Sequence, residues 1–446
     1  MDSNSKQPPI DYLLTPFNRF IRKETTGSMV LFAATVLALL LANSSIAADY
    51  HHFFNQTLGI QFNGDSFLNL SLHHWINDGL MAVFFFVVGL ELKREIVAGE
   101  LSNPSKAMVP IAAAIGGMIV PALIYFSLNP TGEASRGWGI PMATDIAFAL
   151  GVLYLLGNRI PLALKVFLTA LAIVDDLGAV LVIAFFYTSE ISIQNLIIGL
   201  SFVGVMYLGN KLGIRNFLFY LILGVLGVWL AFLLSGVHAT IAAVLAAFTI
   251  PVDVRIKETV FTEKITILLK RFQSLDSRNQ IPVLTNEQMA VLEEVKSATD
   301  QAVSPLQRLE HALHPWVSFL VMPLFALANA GISLSFDSES LFSTNIAFGV
   351  ALGLLLGKVV GIVLFSLLVC GFNPRRLPDG ISLKNLIGVS FLASIGFTMS
   401  MFVSELAFED AAHNLQAKVG IFAASLVGGI AGYLFLKFSN PQTINK

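Results

Sequence analysis

The sequence has little cysteine and little charge for its length, and both shortages limit what the protein can be. Its 446 residues include one cysteine, Cys370, which excludes a disulfide within the chain. Hydrophobic residues make up 55% of the chain. Charged residues make up 13%, which is about half the charged fraction of a typical soluble chain. The formal net charge of -2 leaves no basic excess to neutralise phosphates, so we expect no nucleic-acid partner.

Other sequence signals are also lacking. We find no phosphate-binding loop or other cofactor motif, so we expect no cofactor and an ion gradient as the energy source. The segment from residue 1 to 24 is polar and contains three prolines, so it lacks the apolar region of a signal peptide. We therefore expect the first membrane span to remain uncleaved.

Long apolar stretches separated by polar breaks predict an all-α integral membrane protein with about twelve transmembrane helices. The spans lie near residues 27–47, 75–93, 107–128, 138–156, 161–187, 192–210, 217–234, 236–250, 311–333, 345–370, 384–407 and 416–437. The span 236–250 is the shortest. We expect one membrane domain over 1–446, with polar tails at 1–26 and 438–446.

Lysine and arginine are concentrated in every second connection, which predicts the orientation of the chain in the membrane. The tail 1–26 and the connection 251–305 are rich in these residues, whereas the connection 48–74 has none. This pattern predicts that both termini are cytoplasmic and that 48–74 is external. The basic residues that depart from it are Arg136, Lys358 and Lys418.

Two connections have patterns of their own. Within the external loop 48–74, the pair Asn63-Gly64 separates short runs of alternating apolar residues, which predicts a β-hairpin. A hairpin has free edges, so segment 55–73 either contacts a second copy in a homodimer or covers the protein's own surface. The long cytoplasmic loop 251–305 is polar and predicted to be partly helical, with no assignable chemistry.

Two spans are interrupted. Pro141 opens the span 138–156, where it removes a backbone donor, and Gly396 lies among small polar residues in the span 384–407. Each interrupted helix is the middle member of a triplet, spans three to five and spans ten to twelve, and the triplets start from opposite sides. This arrangement predicts an inverted repeat whose two broken helices cross at the membrane midplane, as in secondary transporters.

Two adjacent aspartates, Asp175 and Asp176, lie midway along the apolar span 161–187. A charge at the centre of a membrane helix costs about 2.5 to 3.5 kcal/mol, so such residues usually line an interior site or an aqueous pathway. Neighbouring helix positions differ by about 100°, so the two carboxylates need different partners. Together they predict a site for cations or protons.

Lys358 lies near the centre of the span 345–370, too far from either end to reach water. We expect it to face a carboxylate. Alternatively, it is a structural lysine that offsets the dipoles of helix ends at the interrupted segments.

Five segments together carry a family resemblance: Val88–Glu95, Pro141–Phe148, Ala172–Ala179, Ser235–Thr240 and Leu309–Trp316. With them the chain resembles the NhaA family of bacterial sodium/proton antiporters across nearly all its spans. This family is itself a standard example of the inverted-repeat architecture, so the two arguments are not independent.

The resemblance implies a cation site and a mechanism. Asp176 would be the principal ligand for Na⁺ or Li⁺, Thr144 would add a hydroxyl oxygen, and Asp175 would exchange protons and pair with Lys358. For Asp145, which follows the interruption at Pro141, its position favours compensation of positive helix N-termini over binding of the ion. The implied activity is electrogenic exchange of two H⁺ per Na⁺ across the bacterial inner membrane, activated by alkaline cytoplasmic pH.

Other polar residues carry weaker predictions. The resemblance implies a pH-response role for Glu91, Arg94, Glu95, His238, Glu310, His311 and His314, and an exit-path role for Asp78. Alternatively, the interfacial charges are solvated helix ends, His238 is a packing residue and Asp78 caps its helix. The segment 251–305 is longer than in short family members and directly precedes Glu310, which leaves the pH of activation open.

Two other function classes remain in view. An intramembrane aspartyl protease also uses two buried aspartates, but on separate helices with a Gly-x-Gly-Asp signature, whereas Asp175 and Asp176 are adjacent and precede Leu-Gly. A passive cation channel built on the same polar helices differs from an antiporter in lacking coupling to protons.

Overall fold

The computed structural model describes residues 24–62, 65–188, 191–275, 283–333 and 344–439. Most of the predicted N-terminal tail 1–26 and C-terminal tail 438–446 lies outside the described residues. So do the two turn residues of the predicted hairpin, Asn63 and Gly64.

The described chain is helical throughout, apart from one hairpin. The first elements are α1 (Glu24–Ala42), α2 (Ala47–Asn55), β1 (Thr57–Phe62), β2 (Asp65–Ser71), α3 (Leu72–His74), a π-helical segment (Trp75–Leu80), α4 (Met81–Ala98), a 3₁₀ turn (Glu100–Ser102), α5 (Pro104–Leu128), a 3₁₀ segment (Glu133–Met142), α6 (Ile146–Leu155), a 3₁₀ turn (Gly157–Arg159) and α7 (Leu162–Phe186). Next come α8 (Ile193–Lys211), α9 (Phe217–Ile222), a π-helical segment (Leu223–Trp229), α10 (Leu230–Ser235), α11 (Ala239–Thr249), α12 (Glu258–Ser274) and α13 (Asn286–Ala302). The last elements are α14 (Pro305–Trp316), a π-helical segment (Val317–Val321), α15 (Met322–Asn329), α16 (Ile346–Leu352), a π-helical segment (Gly353–Gly357), α17 (Lys358–Val369), a 3₁₀ turn (Pro374–Arg376), α18 (Leu383–Ala393), α19 (Phe397–Ala407) and α20 (Ala411–Ser439).

The predicted all-α membrane fold is confirmed, with fewer full-length spans than predicted. Within the described residues, eight helices are long and apolar enough to cross a membrane, and ten if each of two bent pairs counts as one span. The helix over the predicted span 75–93 is present, as the π-helical segment Trp75–Leu80 followed directly by α4, but it is not among those eight, and α4 carries four charged residues. The predicted span 236–250 is excluded because α11 has only 11 residues.

The first connection differs from the prediction at its start. The span predicted at 27–47 ends at Ala42, and α2, which the sequence analysis missed, follows at an angle of 114° to α1. The predicted hairpin is present: β1 and β2 pair antiparallel, with Thr57 opposite Ser71 and an irregularity between Leu58 and Ile60. The Trp75 indole donates to the Leu58 carbonyl over 2.9 Å, so the hairpin is attached to the start of the next membrane helix.

The segment 251–305 forms two helices, α12 and α13, that pack against each other. Thr285 begins α13 with a capping box, in which its side chain and that of Gln288 bond each other's backbone N–H. An exposed ion pair, Arg271 to Glu294 at 3.2 Å, joins the two helices.

The two triplets have the predicted order of intact, interrupted and intact helix. Their first members, α5 and α17, pack extensively and cross where Gly116 meets Gly361. A Cβ atom on either glycine would collide with the other's carbonyl oxygen, so the backbones are in direct contact. Gly117 lies beside Lys358 in the same contact, because a Cβ there would be 3.6 Å from Cδ of the lysine.

Candidate functional site

The two interrupted helices contact each other at their breaks. In the first, the 3₁₀ segment ends at Met142, residues 143–145 are non-helical and α6 begins at Ile146. In the second, residues 394–396 separate α18 from α19, which is bent by 47° relative to α18. The Asp145 N–H donates to the Ile395 carbonyl over 2.7 Å, and the Thr144 hydroxyl donates to the Ala393 carbonyl over 2.9 Å. Each break therefore satisfies backbone groups of the other, as a non-helical segment inside a membrane requires.

The carboxylate of Asp145 joins the N-termini of two helices. Its Oδ1 accepts from the Phe148 N–H at 3.1 Å, in α6, and its Oδ2 accepts from the Thr398 N–H at 3.0 Å, in α19. The Thr398 hydroxyl donates to the same Oδ2. A negative charge at this point offsets the positive ends of both helix dipoles.

Asp175 and Asp176 lie in the middle of α7, beside this crossing, and each is 1% exposed. The Lys358 ammonium, with no exposed surface, lies 2.5 Å from Oδ2 of Asp175. Lys358 is the first residue of α17, directly after the π-helical segment Gly353–Gly357, and such segments occur frequently at functional sites. The structure therefore gives Asp175 and Asp176 different surroundings.

Two carboxylate oxygens at this site have no hydrogen-bond partner among the described residues: Oδ1 of Asp175 and Oδ1 of Asp176. A buried acceptor without a partner costs about 1 to 3 kcal/mol, and more when it is charged. Thr144 lies within hydrogen-bonding reach of Asp175. Its hydroxyl donates to the Ala393 carbonyl, which leaves its oxygen lone pairs available. These oxygens form a donor set that suits a hard monovalent cation or a proton.

A second charged cluster lies at the end of the bundle that the charge pattern predicts to be cytoplasmic. Arg94 in α4 binds Oε1 of Glu310 in α14 at 2.5 Å and Glu95 at 3.1 Å. The other oxygen of Glu310 is buried without a hydrogen-bond partner in the described chain. Glu91 interacts electrostatically with both Glu310 and Asp176, which places it between this cluster and the aspartates.

The remaining predicted residues lie on several elements, and His311 interacts electrostatically with Glu310 of that cluster. His311 and His314 follow Glu310 on α14 with exposed side chains. His238, immediately before α11, lies 2.8 Å from the Tyr187 carbonyl at the end of α7. Asp78 lies in the π-helical segment Trp75–Leu80, where its Oδ2 is 2.7 Å from Nε2 of His74.

Sequence reasoning missed several polar partners. Thr398 lies inside the predicted break, but its contact with Asp145 spans 253 residues. Lys418 gave a usable signal as an exception to the charge pattern: it forms an ion pair of 2.7 Å with Glu405, and both side chains are 15% exposed. The contact of Asn329 with His73 spans 256 residues and gave no local signal.

Comparison with known proteins identifies the family. A family described as "Na+/H+ antiporter 1" matches residues 18–436. The chain is 50% identical over 430 residues to a protein of Oleidesulfovibrio alaskensis named "Na(+)/H(+) antiporter NhaA", covering 96% of this chain and 95% of that one. It is 48% identical over 427 residues to "Na(+)/H(+) antiporter NhaA 1" of Saccharophagus degradans, covering 95% and 91%. It is also 48% identical over 426 residues to "Na(+)/H(+) antiporter NhaA" of Acidithiobacillus ferrooxidans, covering 95% and 97%. The family resemblance predicted from the sequence is therefore confirmed, and the chain belongs to the Na⁺/H⁺ antiporter 1 family.

Proposed function

We propose that this protein exchanges cytoplasmic Na⁺ or Li⁺ for external H⁺ across the bacterial inner membrane, with both termini in the cytoplasm. The observation that carries the proposal is the pair Asp175 and Asp176, buried at the helix crossing with one unpartnered oxygen each. The family of this chain and the names of its relatives are those of Na⁺/H⁺ antiporters, which are transporters rather than enzymes, and this removes the protease alternative.

Competition for Asp176 couples the two ions. The ionised carboxylate, together with Thr144 and Asp175, supplies oxygen and negative charge to the cation. Protonation of Asp176 removes that charge and releases the cation. If the site faces one side at a time, this competition is sufficient for exchange.

The ion pair of Asp175 with Lys358 supplies a second proton. In the proton-loaded state, Lys358 and Asp176 are both protonated and Asp175 is ionised, so the three groups sum to zero charge. When Na⁺ takes both carboxylates, the lysine and Asp176 each lose a proton, and the site with its cation carries one negative charge. Two protons therefore move against one Na⁺, and one net charge crosses the membrane in each cycle.

The cluster around Arg94 makes the rate of exchange depend on the cytoplasmic pH. Arg94 and Glu310 join α4 to α14, and Glu91 and Glu95 lie beside them. Removal of protons at alkaline cytoplasmic pH changes the charge on this cluster and opens access to Asp176. His311 and His314 follow Glu310 on α14 and add two imidazole side chains to this end of the bundle. His238 contributes from its contact with α7, and Asp78 lies on the exit path at the opposite end.

We also infer a homodimer, formed through the hairpin segment 55–73. The bond from Trp75 to Leu58 ties the hairpin to the bundle, and the Leu58 side chain is 58% exposed. A second copy would cover both that side chain and the free edges of the strands.

The function is tested by Na⁺-induced proton movement in proteoliposomes, between about pH 6 and 9, where histidine and perturbed carboxylates titrate. Asp176→Asn removes the proposed ligand, and Asp379→Asn makes the same change at an exposed aspartate. We expect potential-sensitive exchange in the wild type and the control and none in Asp176→Asn. Exchange that survives in Asp176→Asn would remove Asp176 from the mechanism. Na⁺ flux without proton movement in the wild type would indicate a channel.

A further inference from the structure

Three polar side chains form a closed hydrogen-bonded ring at the end of the bundle opposite the Arg94 cluster. Nε2 of His73 lies 2.9 Å from Oδ1 of Asn329, Nδ2 of Asn329 lies 2.9 Å from Oδ1 of Asn77, and Nδ2 of Asn77 lies 3.5 Å from Nδ1 of His73. Asn77 is 8% exposed and Asn329 is 1% exposed. The ring connects the start of the helix containing α4 to the end of α15, at the face that the charge pattern predicts to be external.

The hydrogen bonds of the ring run in one direction. Nδ2 of Asn329 donates to Asn77 and also to the Phe325 carbonyl at 3.0 Å, so its Oδ1 must accept from His73. His73 therefore carries its proton on Nε2, and its Nδ1 accepts from Asn77. A neutral imidazole completes the ring, because each of the three side chains then gives one donor and one acceptor.

A second proton on His73 is incompatible with the closed ring. The imidazolium has two donors and no acceptor, so the three side chains would offer four donors and two acceptors. No rotation of either amide restores the balance. Protonation therefore breaks at least one of the three bonds and places two N–H groups against each other.

The charged surroundings of His73 come from several elements. Glu405 in α19 and its ion-pair partner Lys418 in α20 act on it with opposite signs, and His74 is its neighbour. On α2, which also packs against this segment, Asp49, His51 and His52 are exposed. Burial lowers the pKa of His73, Lys418 and His74 add to this effect, and Glu405 and the bond to Asn329 oppose it. His73 is therefore neutral at neutral pH and takes its second proton under acidic conditions.

An aromatic layer lies directly beneath the ring. The rings of Phe85, Phe325 and Phe402 have no exposed surface, and the centroid of Phe402 lies 5.6 Å from that of Phe85 and 6.1 Å from that of Phe325. We call these three residues the aromatic plug.

The plug separates the ring from the aspartates. Along α4, Phe85 lies between Asn77 and Glu91; along α19, Phe402 lies between Glu405 and Thr398, which binds Asp145. Asn329 is one turn from Phe325 and bonded to its carbonyl. The ring therefore contains residues of two of the helices that carry the plug: Asn77 lies in the helix of Phe85, and Asn329 lies in the helix of Phe325.

We propose that His73 is a positioning residue for exchange: its neutral form holds the aromatic plug closed, and its protonation from outside opens the plug toward Asp175 and Asp176. This inference rests on the proposed function, because it assigns the step at which external H⁺ gains access to the cation site. It gives external H⁺ two roles, one as the opening signal and one as the exchanged ion.

The test measures how fast a reagent outside the cell reaches a cysteine behind the aromatic plug. It does not measure transport, so its result is independent of whether Na⁺ is exchanged. Met399 is 1% exposed and lies three residues before Phe402, on the same face of α19 and on the inner side of the plug. The parent protein carries Met399→Cys together with Cys370→Ser. Intact cells are treated with a membrane-impermeant maleimide over a range of external pH, and the labelling rate is measured.

His73→Gln keeps one donor and one acceptor in the ring but cannot be protonated. Its labelling rate is divided by that of the parent at the same pH, which cancels the pH dependence of the thiol. We expect a ratio near one at alkaline external pH and a loss of labelling relative to the parent as the pH falls. His52→Gln, at an exposed histidine nearby, should keep a ratio near one at every pH.

For Asn329→Asp we expect the opposite dependence of labelling on external pH. A carboxylate supplies two acceptors, so the ring closes around the protonated histidine and opens when that histidine is neutral. We expect the response to external pH to invert, and this variant decides the matter if His73→Gln does not fold. A parent that is never labelled, or variants with the parent's pH profile, would overturn the proposal. Labelling as expected without Na⁺/H⁺ exchange would instead count against the proposed function alone.

Discussion

Lys358 and Asp175 form the one ion pair, among those in the described part of the chain, in which neither side chain has any exposed surface. Breaking such a pair by removing one partner leaves a buried charge uncompensated. Asp176 is the next residue and its Oδ1 has no partner in the described chain. The pair therefore links the stability of the bundle to the charge state of the proposed cation site.

Lys358→Met should lower the free energy of unfolding by about 3 to 5 kcal/mol, because Asp175 is left unpaired in a buried site. Adding Asp175→Asn to this variant should recover most of the loss. Denaturant unfolding in detergent measures both. The reversal potential should also move toward exchange of one H⁺ per Na⁺. An unchanged reversal potential would favour the alternative of a purely structural lysine.

Glu310→Gln should flatten the dependence of exchange on cytoplasmic pH, because it removes the titrating partner of Arg94 at 2.5 Å. Initial rates in proteoliposomes at a series of internal pH values test this. Glu293→Gln changes an exposed carboxylate in α13 and is the matched control. If both variants keep the wild-type profile, the cluster around Arg94 holds the helices together without responding to pH.

Deletion of residues 60–67 should convert the proposed dimer to a monomer and leave exchange largely intact, because the charge pattern predicts that this segment lies outside the membrane. Light scattering in detergent gives the mass, and proteoliposome assays give the activity. A dimer that survives the deletion would place the contact elsewhere on the protein. In that case the hairpin covers the surface of its own chain.

Asp78→Asn should destabilise the protein under acidic conditions more than under alkaline ones. The hydrogen bond to Asp78 raises the pKa of His74, with burial opposing it. The stabilisation is therefore complete below the unfolded pKa of about 6.5 and is lost as the pH rises through the higher folded value. Unfolding temperature against pH measures this, with Asp49→Asn at an exposed aspartate as the control. A difference that is constant across pH would contradict the assignment.

Features with a local cause were predictable from the sequence. Pro141 removes a backbone donor, so the first break could be placed before the structure was known. Asp175, Asp176 and Lys358 were evident because charge is costly in an apolar span. The contact between Lys358 and Asp175 was expected from the family resemblance, and the structure places the two side chains together.

Features that depend on distant contacts were not predictable. His73, Asn77 and Asn329 are ordinary polar residues near helix ends, and only the packing of α15 against the π-helical segment Trp75–Leu80 brings them into one ring. The direction of α2 was missed because its sharp turn follows no proline or glycine. Lys418 was noticed only as an exception to the charge pattern, and its partner Glu405 became identifiable once α19 and α20 were in place.

The crossing of α5 and α17 determines how precisely the lysine is held. Gly116 and Gly361 touch through their backbones, and backbone atoms, unlike side chains, have no alternative rotamers. The spacing of the two helices at this point therefore has one value. Gly117, the residue after Gly116, lies against the Lys358 side chain. The absence of a Cβ atom on Gly116 and on Gly361 therefore fixes the depth at which the positive charge of Lys358 is held within the membrane.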